Sequence, residues 1–305
     1  MTYNMKFKQI IALDDINISD SSMSAFKDYS ENKVKIFDSD PKDNNEIAER
    51  IEDADCVLLS WRTPINKDIL SQCANLKFIC LCGTNSNCID LVECKKRNIV
   101  VSNIVDYGDE GVVEYIIFQL LSLVRGFGEY QWKDYPAELS EKTLGIIGLG
   151  AVGKLLANAA LGFKMKVFYN TKTRKPEWEK RGLIFVDKKE LLKESDFISL
   201  QTPKNVKILS KDDFGLMKEK ILVNTTLGKA FEEENFIEWI KQPNNYAVMD
   251  SSTSKDFYDE FHNLDRVVFS DFIAGRTKES ILRLGQKVLD NIKAFLSGNS
   301  INRIN

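Results

Sequence analysis

Histidine is nearly missing from this chain: there is one in 305 residues, His262. It lies in a polar segment, DEFHNLD, which reads as a surface or loop position, so proton transfer by histidine has a single, poorly placed residue to draw on. Long apolar runs are also lacking. Near the start only Ile10 to Leu13 is apolar before two aspartates, far short of a signal segment or a membrane span, and this implies a cytoplasmic protein with no membrane partner. Charge of one sign is not in excess either. Lys and Arg total 42 against 45 Asp and Glu, a net charge of −3, so no overall field draws nucleic acid or an anionic membrane. Cysteine is modest at six, which fits free thiols in the cytoplasm. Cys80, Cys82, Cys88 and Cys94 crowd one stretch, but FICLCG is a buried-strand pattern and the spacing fits no common zinc module, so no metal site is expected.

What is present is the material of two α/β domains. The length suits two units of roughly 100 to 200 residues, which implies a cleft, and 43% hydrophobic residues can form cores without disulfides or metal. Short runs rich in Val, Ile and Phe alternate with helix-like segments from end to end, the pattern of parallel sheets covered by helices. The first group of strands reads KQIIAL, KVKIF, CVLLS, FICLC and IVVS; the second reads TLGIIG, KVFYN, FISL, ILVNTT, YAVMD and RVVFSD. Between them lie an apolar helix over about 111–124 and an aromatic polar stretch, GFGEYQWKDYPAELSE, expected to be a projecting arm. A final helix carries Ile281, Leu284, Val288, Ile292 and Phe295 at helical spacing and is expected to pack against another helix.

The most specific motif is Gly148-Leu149-Gly150-Ala151-Val152-Gly153, directly after an apolar strand and at the start of an amphipathic helix. The first glycine permits a tight turn, the second lets backbone approach a pyrophosphate, and the third lets helix and strand pack closely, while the helix N-terminus favours phosphate charge. The end of the next strand selects the cofactor. An acidic residue there would grip the ribose 2′-hydroxyl of NAD, but the chain has Asn170, followed by Thr171, Lys172, Thr173, Arg174 and Lys175. No carboxylate guards that position, and three cations with two hydroxyls suit a 2′-phosphate, which favours NADP(H) over NAD(H).

The order of segments resembles the D-isomer-specific 2-hydroxyacid dehydrogenases over essentially the whole chain. ADCVLLSWRTPINKDIL, NLKFICLCGTNSNCIDL, RNIVVSN and EGVVEYIIFQLL look like the family's substrate-domain run, and KTLGIIGLGAVGKLLA, SDFISLQTP, ILVNTTLGKAFEEENFIEWI and VVFSDFIAGRTKES follow its cofactor domain. The resemblance implies two Rossmann-like doubly wound parallel-sheet domains, with a cofactor domain (104–275) inserted into a substrate domain (1–103 plus 276–305). It also implies a homodimer built through an arm, which looks shortened here. Asp250 matches the family aspartate that bonds the nicotinamide carboxamide, and Thr202, Pro203, Thr225, Thr226, Ala274 and Gly275 fall where the family surrounds the cofactor. Gly83, Thr84 and Asn85 match its substrate loop, with Asn85 where a second glycine is usual.

The catalytic positions depart from the family. Where it has an arginine that orients the substrate carboxylate, this chain has Leu227; where it has the proton-exchanging histidine, this chain has Phe272. The supporting glutamate falls near Lys255. Replacement donors are Lys229, Asp271, Lys255, Tyr107 and Arg276, and Arg62, Arg125 or Arg276 could restore a cation. Two functions stay open. One is an NADP(H)-dependent reductase of an electrophilic substrate such as an imine, an activated alkene or a carbonyl other than a simple 2-ketoacid. The other is a catalytically silent dinucleotide-binding protein or sensor. The reductase is preferred, because a sensor needs only the phosphate and adenosine contacts, whereas the residues assigned to the nicotinamide are also kept.

Overall fold

Several helix starts among the described residues are written in their capping residues. Asp43, Asn66, Asp90 and Asp187 each accept a hydrogen bond from the backbone three residues on, opening the helices Asn44–Ile51, Lys67–Gln72, Leu91–Lys96 and Lys188–Glu194. Ser210 and Asp213 form a reciprocal capping box ahead of Lys211–Leu216. Between these helices the β-branched and aromatic runs form strands that are buried on both faces, as parallel sheets require.

The structure is a computed structural model that describes residues 5–204, 206–251, 261 and 263–305. The chain forms two compact units, Met1–Tyr107 with Lys278–Asn305, and Gly108–Thr277. The first unit holds β1 (Ile10–Ala12), β2 (Lys35–Ile36), β3 (Cys56–Leu59), β4 (Phe78–Leu81) and β5 (Val100–Ser102). They lie in the order β2-β1-β3-β4-β5, all parallel. The C-terminal helix, Lys278–Leu296, belongs to this unit. Leu284, Val288 and Ile292 are buried, and Phe295 stacks in a trio with Phe7 and Phe78. A side chain at Gly285 would collide with Ser22, so the helix does pack on another, Asp20–Ala25, at a point where the backbone must come close.

The second unit holds β6 (Thr143–Ile147), β7 (Lys166–Asn170), β8 (Ile184–Phe185), β9 (Phe197–Leu200), β10 (Ile221–Asn224), β11 (Tyr246–Met249) and β12 (Val267–Phe269). Their order is β12-β11-β10-β9-β6-β7-β8, again all parallel, which is the doubly wound arrangement with its reversal between β6 and β9. Both units are therefore Rossmann-like α/β sheets. The two-residue edge strand β8 has no sequence signal of its own, being too short to show a period.

One expectation is corrected. The stretch after the helix Asp109–Arg125 does not project as an arm along its whole length: Trp132 and Leu139 are buried, the Trp132 indole donates to the Glu219 carbonyl at 3.2 Å, and its ring lies 5.1 Å from that of Phe197. An aromatic with a polar handle is easily mistaken for a surface residue in a segment this rich in charge. Trp132→Ala should destabilise the protein by about 3–5 kcal/mol, read as a lowered denaturant midpoint, whereas Tyr135→Ala, at an exposed position beside it, should change it by less than about 0.5 kcal/mol.

Candidate functional site

Because all seven strands of the second unit run the same way, their C-terminal ends meet one edge, and the pairing register puts them in one row. Asn170 pairs with Ile147, Ile147 with Leu200, Leu200 with Asn224, Asn224 with Met249, and Met249 with Phe269. The residues immediately beyond that row are Gly148, Gln201, Thr225, Asp250 and Ser270, followed within three positions by Gly150, Thr202, Pro203, Thr226, Leu227 and Phe272. Sheets of this topology bind ligands in the crevice outside this edge.

The three glycines of the turn have three separate reasons. Gly148 has φ +102, and a Cβ there would overlap the Gln201 carbonyl; a Cβ on Gly153 would overlap the Gly148 carbonyl. Both are therefore demanded by folding. Gly150 is different: its φ of −83 and ψ of −155 suit any residue, and a Cβ would meet nothing within 4 Å. Open space over that backbone is what an approaching pyrophosphate needs. The helix it opens, Ala151–Gly162, has no side-chain cap, unlike those opened by Asp43, Asn66, Asp90 and Asp187, so its first amide groups are left to another acceptor. Thr202 adds a buried hydroxyl with no hydrogen-bond partner among the described residues. Leu149 is buried, while Ala151 and Val152 form the first turn, exposed and half-buried. This set fits a dinucleotide: the turn and helix end would hold the phosphates, and the bound nicotinamide would supply a hydride.

At the end of β7 the structure adds a group that the sequence reading did not name. Asn170 directs its amide to the Val186 carbonyl at 2.8 Å, and Thr171, Lys172 and Thr173 follow in a partly exposed loop. A carboxylate from the next helix stands close to this loop. Glu179, from the short helix Pro176–Glu179, accepts two bonds from Arg174, from Nε at 2.7 Å and Nη2 at 2.6 Å, and one from the Tyr169 hydroxyl at 2.8 Å. The Arg174 bonds hold its pKa down to about 2, so it stays ionised throughout the neutral range. Sequence reading missed it because it lies nine positions beyond the strand; the clue was the penultimate residue of the strand, Tyr169, whose hydroxyl needs a partner.

On the opposite side of the row, the Gln201 amide donates to Ser199 Oγ at 2.9 Å and to Thr225 Oγ1 at 3.4 Å, while Thr226 donates to Asn224 Oδ1 from both nitrogen and hydroxyl. Asp250 is buried, and its Oδ2 accepts from the Ala274 amide at 2.8 Å, which ties the loop after β12 to the end of β11. Gly275 packs backbone to backbone against Gly108, where a Cβ would lie 2.7 Å from its carbonyl oxygen. Leu227 stands three residues past Asn224 and Phe272 three past Phe269, so the two occupy matching stations on strands separated by one neighbour, about 10 Å apart between strand axes. Both are open to solvent, Leu227 by 46% and Phe272 by 61%, with Ile273 at 42% beside them. The Phe272 ring meets Tyr115 edge-on at 6.0 Å, and Tyr115, its pKa driven up by burial, donates to the Met249 carbonyl at 2.7 Å.

The proposed replacement groups are not alike. Lys229 is ion-paired with Glu233, one turn along the following helix. Asp271 and Arg276 are exposed, the latter in a turn closed by its amide on the Ile273 carbonyl. Lys255 and His262 lie outside the described residues. In the first unit, the amide of Ile104 donates to the Gly83 carbonyl, Thr84 donates to the Ile104 carbonyl at 3.1 Å, and Asn85 accepts from the Asn87 amide at 3.0 Å, so the substrate-loop candidates form a braced turn beyond β4. Tyr107 is half-buried there and its carbonyl accepts from Arg283 at 2.9 Å. Arg62 is committed to Asp40, at 2.9 and 3.1 Å, and to the Asp15 carbonyl. Arg125 ends its helix, exposed.

All six cysteines are free, and burial pushes Cys73 and Cys88 up to about 11 and Cys94 to about 12, which keeps them as inert thiols. Among the described residues no group of three or more His, Cys, Asp or Glu side chains is placed to hold a metal ion, and no helix is long and apolar enough to cross a membrane.

Comparison with known proteins agrees with this geometry. The sequence profile for the D-isomer specific 2-hydroxyacid dehydrogenase catalytic domain matches residues 10–305. A glyoxylate reductase of Thermococcus litoralis is 30% identical, with 83% of each chain covered. A hydroxypyruvate reductase of Blautia hydrogenotrophica is 27% identical, covering 86% of this chain and 88% of the relative. Among solved structures, an acyclic imino acid reductase in complex with NADPH and D-arginine superimposes with a TM-score of 0.82 at 26% identity, covering 97% of this chain and 100% of that one. The chain belongs to the D-isomer specific 2-hydroxyacid dehydrogenase family of NAD(P)-dependent oxidoreductases.

Proposed function

We propose that this chain is an NADP(H)-dependent reductase of the C=N bond of imino acids, or of a comparably electrophilic bond, and not of simple 2-ketoacids. The observation that carries the proposal is the pair Leu227 and Phe272: two exposed apolar side chains at the stations that the family resemblance assigns to its carboxylate-binding arginine and its proton-donating histidine. Reduction of a ketone develops charge on oxygen and calls for a proton donor. A protonated imine already carries its proton and its positive charge. In an imino acid that charge lies beside the carboxylate, so the substrate brings its own counter-ion to a site where Leu227 stands at the arginine station and desolvating a lone carboxylate would cost several kcal/mol. The likeness to an imino acid reductase bound to NADPH, at 26% identity over nearly the whole chain, supports the same reading.

In this reading 104–275 is the NAD(P)-binding domain, and 1–103 with 276–305 the substrate domain. Gly148 to Gly153 hold the pyrophosphate, Asn170 to Arg174 face the adenosine ribose, and Thr202, Pro203, Thr225, Thr226, Asp250, Ala274 and Gly275 line the nicotinamide side. Asp250, fixed by the Ala274 amide, orients the carboxamide. Gly83 to Asn85 form the substrate loop. The protein acts as a homodimer in the cytoplasm, where buried free thiols persist. Exposed Phe118 and Phe127, lining a groove of about 670 Å³ on the second unit, are the surface proposed to meet the second copy.

The test is consumption of NADPH with a panel of 2-ketoacids, each offered alone and with ammonia or methylamine. We expect turnover only when the amine is present, with kcat/KM at least about a hundredfold above the ketoacid alone. Turnover of the ketoacid alone at equal efficiency refutes the substrate reading, and tight NADPH binding with no turnover of either leaves a silent dinucleotide-binding protein.

A further inference from the structure

The carboxylate of Glu179 has no role in the account so far, yet it is placed by a directed relay. The Lys175 amide donates to the Tyr169 hydroxyl oxygen at 2.9 Å, the Tyr169 hydroxyl donates to Glu179 Oε1 at 2.8 Å, and Glu179 receives both Nε and Nη2 of Arg174. Tyr169 is the penultimate residue of β7, and the carbonyl of the next, Asn170, accepts from the Gly148 amide at 2.8 Å. The relay thus starts beside the phosphate turn, at the strand end where doubly wound folds meet the adenosine ribose.

The Nε and Nη2 pair is the side of a guanidinium that grips a phosphate with two parallel bonds. Here that side is filled by Glu179, while Arg174 itself remains largely exposed. Asn170, at the position an acidic residue would take to bind a 2′-hydroxyl, is turned to Val186 instead. The acid nearest this strand end therefore lies on the helix Pro176–Glu179 and is set on the one arginine of the basic loop.

We infer that Glu179 is the residue that sets cofactor selectivity, by holding the Arg174 fork against a cofactor 2′-phosphate and so limiting the preference for NADPH over NADH. This rests on the reading of 104–275 as the dinucleotide-binding domain. Glutamine at 179 keeps an acceptor for Tyr169 but removes the charge that competes with phosphate. Glu179→Gln should tighten NADPH about tenfold and leave NADH within about twofold. The competitive inhibitor 2′,5′-ADP should gain as NADPH does, and 5′-AMP should not. Glu179→Asp should leave the selectivity near that of the wild type if its shorter carboxylate still reaches Arg174. In an Arg174→Ala background Glu179→Gln should bring no gain.

Loss of NADPH affinity in Glu179→Gln would overturn the inference, since Glu179 would then be orienting Arg174 as a phosphate clamp. Equal weakening of both cofactors would also overturn it, by showing a merely structural role. The underlying reading fails separately: a wild type that prefers NADH, with Glu179→Gln still shifting towards NADPH, supports the inference and refutes the NADP(H) preference. A wild type that binds neither cofactor refutes both.

Discussion

Gly150→Val should abolish NADPH and NADH binding, by at least about a hundredfold in Kd, in a protein that is folded and as stable as the wild type. The backbone at Gly150 is extended and a Cβ there meets nothing within 4 Å, so branching at that carbon does not strain the chain and points into open space. It does fill the space above the uncapped start of the helix Ala151–Gly162. Gly148→Ala should do the opposite. With φ at +102 and the Gln201 carbonyl in the way, alanine must shift the β9 loop, and we expect a stability loss of about 2–4 kcal/mol, visible without any ligand. Two neighbouring glycines thus divide the motif into a part that folding requires and a part that only a ligand requires. If Gly150→Val binds NADPH as the wild type does, the turn does not meet the phosphates.

The second large effect concerns substrate. Leu227→Arg with Phe272→His should raise kcat/KM for reduction of a 2-ketoacid by about 10² to 10⁴, the range expected of a positioned acid, while lowering it for the imine by about tenfold. Both replacements land at matching register stations, three residues beyond the ends of β10 and β12, which flank β11, and both positions are open enough to take a longer or more polar side chain without repacking a core. Each change alone should give little, because a carboxylate clamp without a proton donor, or the reverse, leaves the other cost in place. Steady-state kinetics of the two single variants and the double variant, on one ketoacid with and without amine, check this. An unchanged preference for the imine would mean that these two stations do not face the substrate.

The fold was legible because short apolar runs alternate with helix-like segments: fully apolar runs gave the buried parallel strands, whereas the caps Asp43, Asn66, Asp90 and Asp187 were seen only in the structure. The glycine turn was legible for the same reason, since strand, turn and helix are contiguous in the chain. β8 was not, because two residues carry no period, and the arm stretch was misjudged because one buried tryptophan is hidden among charges. The ribose end was half legible. Asn170 and the basic run are local, but Glu179 reaches Arg174 through a turn whose geometry is set by Tyr169, and side-chain pairing across such a turn leaves no pattern in sequence. The limits at the reacting centre are of the same kind: the replacements Leu227 and Phe272 can be read by position, whereas whether Lys229 is available depends on Glu233, a neighbour one helical turn away.

The account turns on hydride transfer to a C=N bond, and the most direct measurement follows the hydride itself. The protein is incubated with NADPH carrying deuterium on both positions of nicotinamide C4, together with a 2-ketoacid and methylamine, and the N-methyl amino acid is examined by mass spectrometry. The account predicts one deuterium, at the carbon that was the imine carbon, in product that forms only with enzyme, cofactor and amine together. Deuterium carried instead into a 2-hydroxyacid, or no labelled product from a protein that binds NADPH tightly, would contradict it.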